Sequence, residues 1–335
     1  MKPAIFVKGL AITAILFVCS AIANAQLSDL QQPGTEFSYV EFGTSPSMTV
    51  FNGDLYVAYQ ANDGSHTTWI TVSQTGITGE GFTYGYEIPN ILTHSATGPT
   101  ITVWNGKLWL AYTAENGFVY LTSSSDGTNF ATPTPVMNSN ANYEQFANSS
   151  PSLVVYNNQL WITQEVNGAG SATTMQSAIT SDGLNFTESN YCQNLPGGAE
   201  PQTGAMIGTA VFNNELWFAF QAQGDWSHYL VLCSTYAGTS GTADSYYEPG
   251  LQAGSGVAAS TYNGALYLAY KVLSGNNNLT ITETLGSGAF ESNVYSGILI
   301  NGRQQLNPST AVWDGAYFLT YTSNDSDHHM FVTAN

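Results

Sequence analysis

Positive charge is scarce in this chain. Lys and Arg together number 5, against 23 Asp and Glu, which gives a formal net charge of −18 at pH 7. A nucleic-acid-binding protein needs many basic side chains to neutralise phosphates, so this composition argues against a nucleic-acid partner. The same electrostatic repulsion disfavours anionic membrane surfaces and strongly acidic polymers.

Cysteine, long apolar runs and helical patterning are scarce as well. Beyond the N-terminal segment the cysteines are Cys192 and Cys233, which could form a disulfide in an oxidising compartment. Their spacing cannot show the geometry of such a bond, so the pairing stays open here. After the first 25 residues no run is long and apolar enough to span a membrane, and no segment has a convincing helical period.

The N-terminus has the pattern of a secretory signal peptide. Lys2 and Lys8 supply positive charge, an apolar run extends from Leu10 to Cys19, and Ala23-Asn-Ala25 forms an A-x-A cleavage signal. The pattern predicts cleavage after Ala25 and a secreted protein, either extracellular or periplasmic. Removal of the two lysines makes the mature net charge −20.

One sequence motif recurs along the rest of the chain. It reads Ser-Pro-Ser-Met-Thr-Val-Phe-Asn-Gly-Asp-Leu-Tyr-Val-Ala-Tyr over residues 45–59, and related copies follow at 98–112, 150–164, 210–220, 260–270 and 308–321. The turn residues of the six copies are Asn52, Asn105, Asn157, Asn213, Asn263 and Asp314, spaced by 53, 52, 56, 50 and 51 residues. Such regular spacing indicates a repeat architecture.

Each copy predicts a β-hairpin, because Asn-Gly and Asp-Gly favour type I′ turns and the flanks are rich in β-branched and aromatic residues. A third strand follows every hairpin and a fourth follows five of them, for example Glu291–Ser296 in the fifth copy. The last copy stops after its third strand, and Phe37–Phe42 supplies the missing one. The sequence therefore predicts an all-β, six-bladed β-propeller with four-stranded blades, closed by its N-terminal strand. The predicted division is a signal peptide at 1–25, a short segment at 26–35 and the propeller at 36–335.

Two of the repeats carry a further motif. Ser124-Ser-Asp-Gly-Thr-Asn-Phe130 and Thr180-Ser-Asp-Gly-Leu-Asn-Phe186 resemble, in shortened form, the Asp-box (BNR) turn of sialidase-like propellers. The resemblance implies a fold more than an activity, because in that family the Asp box is a structural hairpin remote from the active site. Asp126 and Asp182 are accordingly predicted to be turn residues, whose carboxylates accept backbone N–H groups.

The chain also departs from the sialidase pattern. Sialidases of that family hold the sialic acid carboxylate with three arginines, whereas Arg303 is the one arginine of this chain. The sequence thus predicts a divergent member that lacks the arginine triad and sialidase activity.

Ligand sites in propellers usually lie around the central funnel, on the face opposite the Asn-Gly turns. The blade links, which include Glu248 and Gln252, and the second-to-third-strand loops, which include Glu165, are predicted to reach this face. They are polar and aromatic, which suits sugar hydroxyls and a stacked ring. The predicted ligand-binding residues are Trp226, Asp225, His228, His94, Gln145, Gln202, Arg303 and Gln304. Glu144 and Glu200 are candidates for a catalytic carboxylate pair, although solvated loop acids would look the same.

These observations favour a secreted, monomeric, lectin-like propeller that recognises neutral glycans. A glycoside hydrolase or lyase that uses a funnel carboxylate pair is the alternative. A third reading is a non-catalytic surface protein that binds another protein, with a calcium ion on the propeller axis. No cofactor or metal ligand set is predicted, because no zinc spacing, phosphate loop or EF-hand pattern occurs.

Overall fold

The structure is a computed structural model that describes residues 35–39, 44–74, 82, 85–95, 97–136, 149–167, 173–189, 192, 200–202, 204–223, 229–235, 246–272, 279–284, 307–322 and 329–335. These residues form antiparallel β-strands and the turns between them, and none of them is helical. The strands make a six-bladed β-propeller with four-stranded blades, as the sequence predicted.

The first three blades follow one another along the chain. The N-terminal strand β1 spans Thr35–Tyr39 and belongs to the last blade. Blade 1 contains β2 (Ser47–Phe51), β3 (Asp54–Gln60), β4 (Thr67–Ser73) and β5 (Tyr86–Leu92). Blade 2 contains β6 (Thr100–Trp104), β7 (Lys107–Thr113), β8 (Val119–Ser124) and β9 (Thr134–Pro135). Blade 3 contains β10 (Ser152–Tyr156), β11 (Gln159–Asn167), β12 (Thr173–Thr180) and β13 (Thr187–Ser189).

The other three blades complete the ring. A short strand, β14 (Glu200–Pro201), leads into blade 4, which contains β15 (Gly208–Phe212), β16 (Glu215–Gln223), β17 (Tyr229–Ser234) and the first part of β18 (Tyr246–Tyr262). Blade 5 contains the rest of β18, β19 (Ala265–Val272) and β20 (Leu279–Thr284). Blade 6 contains β21 (Ser309–Trp313), β22 (Ala316–Thr322) and β23 (His329–Ala334).

The N-terminal strand closes the ring by pairing with the C-terminal one. Antiparallel pairing of β1 with β23 runs from Thr35 opposite Val332 to Tyr39 opposite His329. The prediction that the first strand completes the last blade is therefore confirmed, with a strand that begins two residues before the predicted Phe37. Closure pairs β23 on both sides, and β1 becomes the outer edge strand of the last blade.

Blades 4 and 5 share one continuous strand. In β18, Glu248 lies opposite Leu230 of blade 4, while Tyr262 lies opposite Ala265 of blade 5. Sequence reasoning had assigned Glu248 and Gln252 to a loop between blades, and that assignment is wrong. The backbone of this segment is instead satisfied by the ladder with β17. The fourth strand predicted for blade 5, at Glu291–Ser296, lies outside the described residues.

The hairpin turns have the backbone that the Asn-Gly pairs require. Asn52 and Gly53 have φ of 52° and 91°, and Asp314 and Gly315 have φ of 47° and 79°. Positive φ at both central residues defines the type I′ turn, which matches the right-handed twist of the flanking strands. The periodic Asn and Asp positions of the sequence are thus the turns of the six hairpins.

The core consists of apolar clusters between successive blades. In every blade an aromatic residue of the second strand is buried in such a cluster. These residues are Tyr56, Trp109, Trp161, Trp217, Tyr267 and Phe318, and their exposed fractions do not exceed the 8% of Trp109. They fill the spaces between blades and are not available as surface platforms for sugar rings.

Hydrogen bonds near the axis join each blade to the next. Most of them involve Ser, Thr or Asn residues at the start of the repeated sequence motif. The bonds are Ile101 N to Ser47 Oγ (3.0 Å), Gly98 N to Ser150 Oγ (2.7 Å), Ser152 Oγ with Thr209 Oγ1 (2.7 Å), Val257 N to Met206 O (3.3 Å), Gly256 N to Asn307 Oδ1, and Met48 N to Ser309 Oγ (3.0 Å). All six junctions are therefore bonded at the centre of the ring.

The two Ser-Asp-Gly turns, residues 124–130 and 180–186, lie at the same face as the Asn-Gly turns. Oδ1 of Asp126 accepts the backbone N–H groups of Thr128 (2.9 Å) and Asn129 (2.8 Å). Oδ1 of Asp182 likewise accepts those of Leu184 and Asn185, both at 2.8 Å. Each carboxylate thus holds its own turn closed.

The glycine of each Ser-Asp-Gly turn contacts an aromatic residue of the preceding blade. A Cβ on Gly127 would lie 2.5 Å from Tyr56 Oη, and one on Gly183 would lie 2.2 Å from Trp109 Cη2. Both glycines also have φ near 80°, at 82° and 80°. Close approach and positive φ together require glycine here. The turns therefore lock neighbouring blades together, besides closing a hairpin.

The hydrogen bonds of these turns lower the pKa of both aspartates. For Asp126 the main cause is the side-chain amide of Asn129, and for Asp182 it is the backbone N–H of Asn185. Since the pKa is lower in the folded than in the unfolded chain, the stabilising contribution is present above about pH 4 and is lost as the pH falls below it.

We expect the free energy of unfolding to decrease as the pH falls from about 4 toward 2, with a smaller decrease in the Asp126→Asn/Asp182→Asn variant. An amide cannot be protonated in this range, so it removes this part of the pH dependence. Urea unfolding at several pH values measures both slopes. Equal slopes in the two proteins would show that these carboxylates do not carry the acid sensitivity.

Candidate functional site

We term the face that carries the second-to-third-strand loops and the blade links the funnel face. The opposite face, with Asn52 and the Ser-Asp-Gly turns, is the turn face. First strands start at the funnel face and end at the turn face, since each runs into an Asn-Gly-type turn. Side chains from different blades meet at the funnel face, where a link connects the last strand of one blade to the first strand of the next.

The junction of blades 1 and 2 brings ionisable side chains together on the funnel face. His66 Nδ1 lies 3.6 Å from Glu115 Oε1, although His66 precedes β4 of blade 1 and Glu115 follows β7 of blade 2. The carbonyl oxygen of His66 accepts the N–H of Thr93 at 2.9 Å. His66 has φ of 58°, a left-handed backbone that is uncommon among non-glycine residues. The Thr93 contact holds this conformation and aims the imidazole across the junction.

His94, a predicted ligand-binding residue, lies at the same junction. Its backbone N–H donates to Thr113 O at 2.7 Å, and its carbonyl accepts the Thr97 hydroxyl at 2.8 Å. Its ring Nδ1 is 2.8 Å from the carbonyl oxygen of Ser95. Because a carbonyl only accepts, Nδ1 must donate, and Nε2 of the neutral ring is left as an acceptor for a ligand hydroxyl.

Asp63 borders this group of side chains. Its Oδ1 accepts the backbone N–H of Ser65 at 2.8 Å and the Ser65 hydroxyl. The Ser65 hydroxyl is the largest cause of a lowered pKa of Asp63, to which the neighbouring His66 also contributes. Asp63 is therefore an anion at neutral pH that fixes the loop in front of His66.

The junction of blades 3 and 4 contains a buried carboxylate. Glu165 is 1% exposed, and its Oε2 accepts the backbone N–H of Gly204 at 2.8 Å. Sequence reasoning had placed Glu165 in a loop, but it lies inside β11. The repeat does predict that Glu165 lies in the second strand of its blade, once Glu165 is aligned with Gln60 and Thr113, the equivalent residues of blades 1 and 2.

Two predicted residues lie beside Glu165 on the funnel face. Glu200 forms part of β14 and is paired with Gln223 of β16. The backbone N–H of Gln202 donates to Gln221 O at 2.7 Å. Both side chains are partly exposed. The link into blade 4 is thus pinned to the second strand of that blade, with the Glu200 and Gln202 side chains accessible.

A polar residue occupies the same position, near the funnel-face end of the second strand, in every blade. We term these residues the second-strand polar ring, which consists of Gln60, Thr113, Glu165, Gln221, Lys271 and Thr322. Two members anchor the following blade, since Thr113 Oγ1 donates to Ser149 O at 2.9 Å and Glu165 accepts from Gly204. Lys271 is half-buried, and desolvation lowers the pKa of its ammonium group.

Several predicted site residues lie outside the described residues. They are Glu144, Gln145, Asp225, Trp226, His228, Arg303 and Gln304. Of the predicted ligand-binding and catalytic residues, the structure describes His94, Glu200 and Gln202. His94 belongs to the junction of blades 1 and 2, whereas Glu200 and Gln202 belong to that of blades 3 and 4.

A disulfide bond joins Cys192 to Cys233. Cys192 follows the last strand of blade 3, and Cys233 is fully buried in β17 of blade 4. The bond therefore ties the segment that leads to Glu200 onto the body of blade 4. Sequence reasoning left this pairing open because the separation of 41 residues carries no geometric information.

The described part of the chain contains no group of three or more His, Cys, Asp or Glu side chains placed to hold a metal ion. Within the same residues no helix could span a membrane. The exposed large apolar side chains described are Leu92, Leu184 and Val312, which lie in three different blades.

Comparison with known proteins identifies the fold. The structure resembles Penicillium chrysogenum α-L-arabinanase complexed with arabinobiose, with a TM-score of 0.61 and 12% identity over 92% of this chain and 94% of that one. It resembles Trypanosoma rangeli sialidase in complex with the inhibitor DANA, with a TM-score of 0.59 and 11% identity over 89% of this chain. Bombyx mori GH32 β-fructofuranosidase matches 77% of this chain and 62% of its own, with a TM-score of 0.51 and 15% identity.

The chain therefore has the propeller fold of sialidases and glycoside hydrolases. It spans 55% of the length of the T. rangeli sialidase. At these identities the likeness concerns the fold alone. No family model and no curated protein matches the sequence.

We expect the Cys192→Ser/Cys233→Ala variant to lose about 2–4 kcal/mol of unfolding free energy, because the bond restricts the unfolded chain. Denaturant unfolding measures this loss. The wild-type protein treated with reductant serves as the control and should lose a similar amount. A variant as stable as the oxidised wild type would show that the disulfide does not stabilise the fold.

Proposed function

We propose that this chain is an exported, monomeric, lectin-like propeller that binds neutral glycans at its funnel face. The observation that carries the proposal is the convergence of His66, His94 and Glu115 at one junction, where loops of two blades stand above an apolar core. The arrangement offers both hydrogen-bond donors and acceptors, as sugar hydroxyls require. In this proposal the chain is a divergent Asp-box propeller without the arginine triad of sialidases.

The charge of the chain supports a neutral ligand. A chain with 5 Lys and Arg against 23 acidic residues repels polyanions, whereas its negative charge does not repel uncharged sugars. The similar solved structures support a sugar ligand, since they include an arabinanase complexed with arabinobiose, a β-fructofuranosidase and a sialidase. The neutrality of that sugar rests on the charge of the chain.

We expect His94→Ala to weaken glycan binding by about tenfold, equivalent to about 1.4 kcal/mol, because Nε2 no longer accepts a ligand hydroxyl. The mature protein is first applied to a broad glycan array. Titration of the best glycan then gives Kd for the wild type, for His94→Ala and for Trp226→Ala, which removes the predicted stacking platform.

Lys107→Gln is the matched control for these variants, because Lys107 is exposed and follows the Asn105-Gly106 turn on the turn face. It should bind as the wild type does. Melting temperatures of all variants separate lost binding from lost folding. Glycan binding that survives both His94→Ala and Trp226→Ala would argue against the funnel face as the binding surface.

A second candidate function, glycoside hydrolysis, is favoured by Glu165. A carboxylate that is 1% exposed at a funnel junction is costly to bury, and such groups are frequent in active sites. Glu200, a predicted catalytic residue, lies in the same blade link as Gly204 and precedes it in the sequence. A retaining or inverting mechanism needs two carboxyl groups at opposite sides of one glycosidic bond.

Release of reducing ends from array-positive glycans tests this second function. If the protein is a hydrolase, we expect turnover in the wild type and a decrease of kcat by at least about 100-fold in Glu200→Gln, Glu144→Gln or Glu165→Gln. Binding without turnover in the wild type would exclude hydrolysis of those glycans and leave the lectin-like proposal. The absence of both binding and turnover would contradict both proposals and favour a protein ligand.

A further inference from the structure

The second-strand polar ring contains one cation, Lys271. The other five members are buried, with exposed fractions of 4% or less, and these are Gln60, Thr113, Glu165, Gln221 and Thr322. Lys271 is the member that keeps partial contact with solvent. Because the ring lies near the funnel face, a ligand of this face can reach the ammonium group of Lys271.

Lys271 belongs to the junction of blades 5 and 6. Side chains of β19 alternate between the two faces of the sheet, so Lys271 shares a face with Tyr267 and Ala269. These two residues pack in one cluster with Tyr317 and Leu319 of blade 6. The Lys271 side chain therefore lies at the funnel-face end of the interface between blades 5 and 6.

The ammonium group of Lys271 has no partner in the described part of the chain, where no residue forms an ion pair or a hydrogen bond with it. The equivalent residues Thr113 and Glu165 differ, since each bonds the link that follows its blade. Burial lowers the pKa of the Lys271 amine, because desolvation disfavours the charged form. A partly desolvated cation without a partner is unfavourable, and a ligand that accepts its hydrogen bonds relieves this cost.

Few cations are available to the funnel face. Of the 5 Lys and Arg, Lys2 and Lys8 belong to the predicted signal peptide and Lys107 lies on the turn face. Among the described residues, Lys271 is thus the one Lys or Arg of the funnel face. An ionised carboxylate such as that of Glu200 only accepts hydrogen bonds, whereas an ammonium group supplies three donors.

We propose that Lys271 is a ligand-binding residue of the funnel face, whose ammonium group donates hydrogen bonds to hydroxyl oxygens of an oligosaccharide. The inference rests on the proposed glycan function and extends the binding surface from the junction of blades 1 and 2 to that of blades 5 and 6. Blades 6 and 1 lie between these junctions, and sheets packed face to face are roughly 10 Å apart. A ligand that contacts both His94 and Lys271 is therefore longer than a single sugar.

Lys271→Met in the mature protein tests the proposal. Methionine keeps an unbranched chain but removes the donors, so Kd for the best glycan of the array should increase about tenfold. The melting temperature should equal or exceed that of the wild type, because no bond within the described chain is lost. Lys271→Arg, which keeps charge and donors, should bind more tightly than Lys271→Met. The matched control Lys107→Met, on the turn face, should bind as the wild type does.

The outcomes separate this inference from the proposed function. A lower melting temperature of Lys271→Met would show that the ammonium group is bonded within the protein. An unchanged Kd would show that the glycan does not contact it. Either result overturns the inference and leaves the proposed function standing, whereas a wild type that binds no glycan contradicts both.

Reductive methylation of the wild type provides a second readout. Formaldehyde and cyanoborohydride convert accessible lysine amines to dimethylamines, which peptide mass spectrometry locates. A saturating concentration of the best glycan should protect Lys271 and leave the labelling of Lys107 unchanged. Equal labelling of Lys271 with and without the glycan would contradict the proposal.

Discussion

Each blade of this propeller is apolar on both faces, and neither face can be left in water. In β3, Leu55 and Val57 pack toward blade 6 while Tyr56 and Ala58 pack toward blade 2, and all four are buried. A sheet with two apolar faces must be covered on both sides, and in a ring each blade covers its neighbours. The closed circle of blades is therefore the condition on which every other feature of the fold depends.

The same constraint decides where polar chemistry can occur. The polar side chains buried in the body of the blades are mostly Ser and Thr, and among the described residues Glu165 is the one charged side chain that is buried. At the funnel face two members of the second-strand polar ring form hydrogen bonds to the blade links. Thr113 bonds the backbone of Ser149, and Glu165 bonds the backbone of Gly204. The links can then present His94, Glu200 and Gln202 on a rigid base, and they can differ between blades without disturbing the core.

The sequence predicts the scaffold well because its local signals are strong. Asn-Gly and Asp-Gly pairs specify the turns, and the aromatic residue of each second strand specifies a buried position that the repeat places between blades. The Asp126 and Asp182 side chains accept backbone N–H groups within a few residues, so their geometry too is local.

The site is harder to predict because its contacts are non-local. The approach of His66 to Glu115 joins loops of two different blades. The place of Glu165 in a strand follows from its alignment with Gln60 and Thr113, but its contact with Gly204 of the next blade link has no signal in the sequence. The Cys192–Cys233 pairing and the continuous β18 likewise depend on how blades 3, 4 and 5 are arranged in space.

The joint between β1 and β23 has a consequence for the order of folding. Thr35 pairs with Val332, so the first strand of the propeller finds its partner only after the last strand is available. Contacts between residues so distant in sequence form slowly, because a long loop must close before they contribute. Blades 1 to 5 consist of local hairpins that can form in succession during synthesis. We therefore expect the completed circle, and with it the cover over the outer faces of blades 1 and 6, to form last as the chain folds.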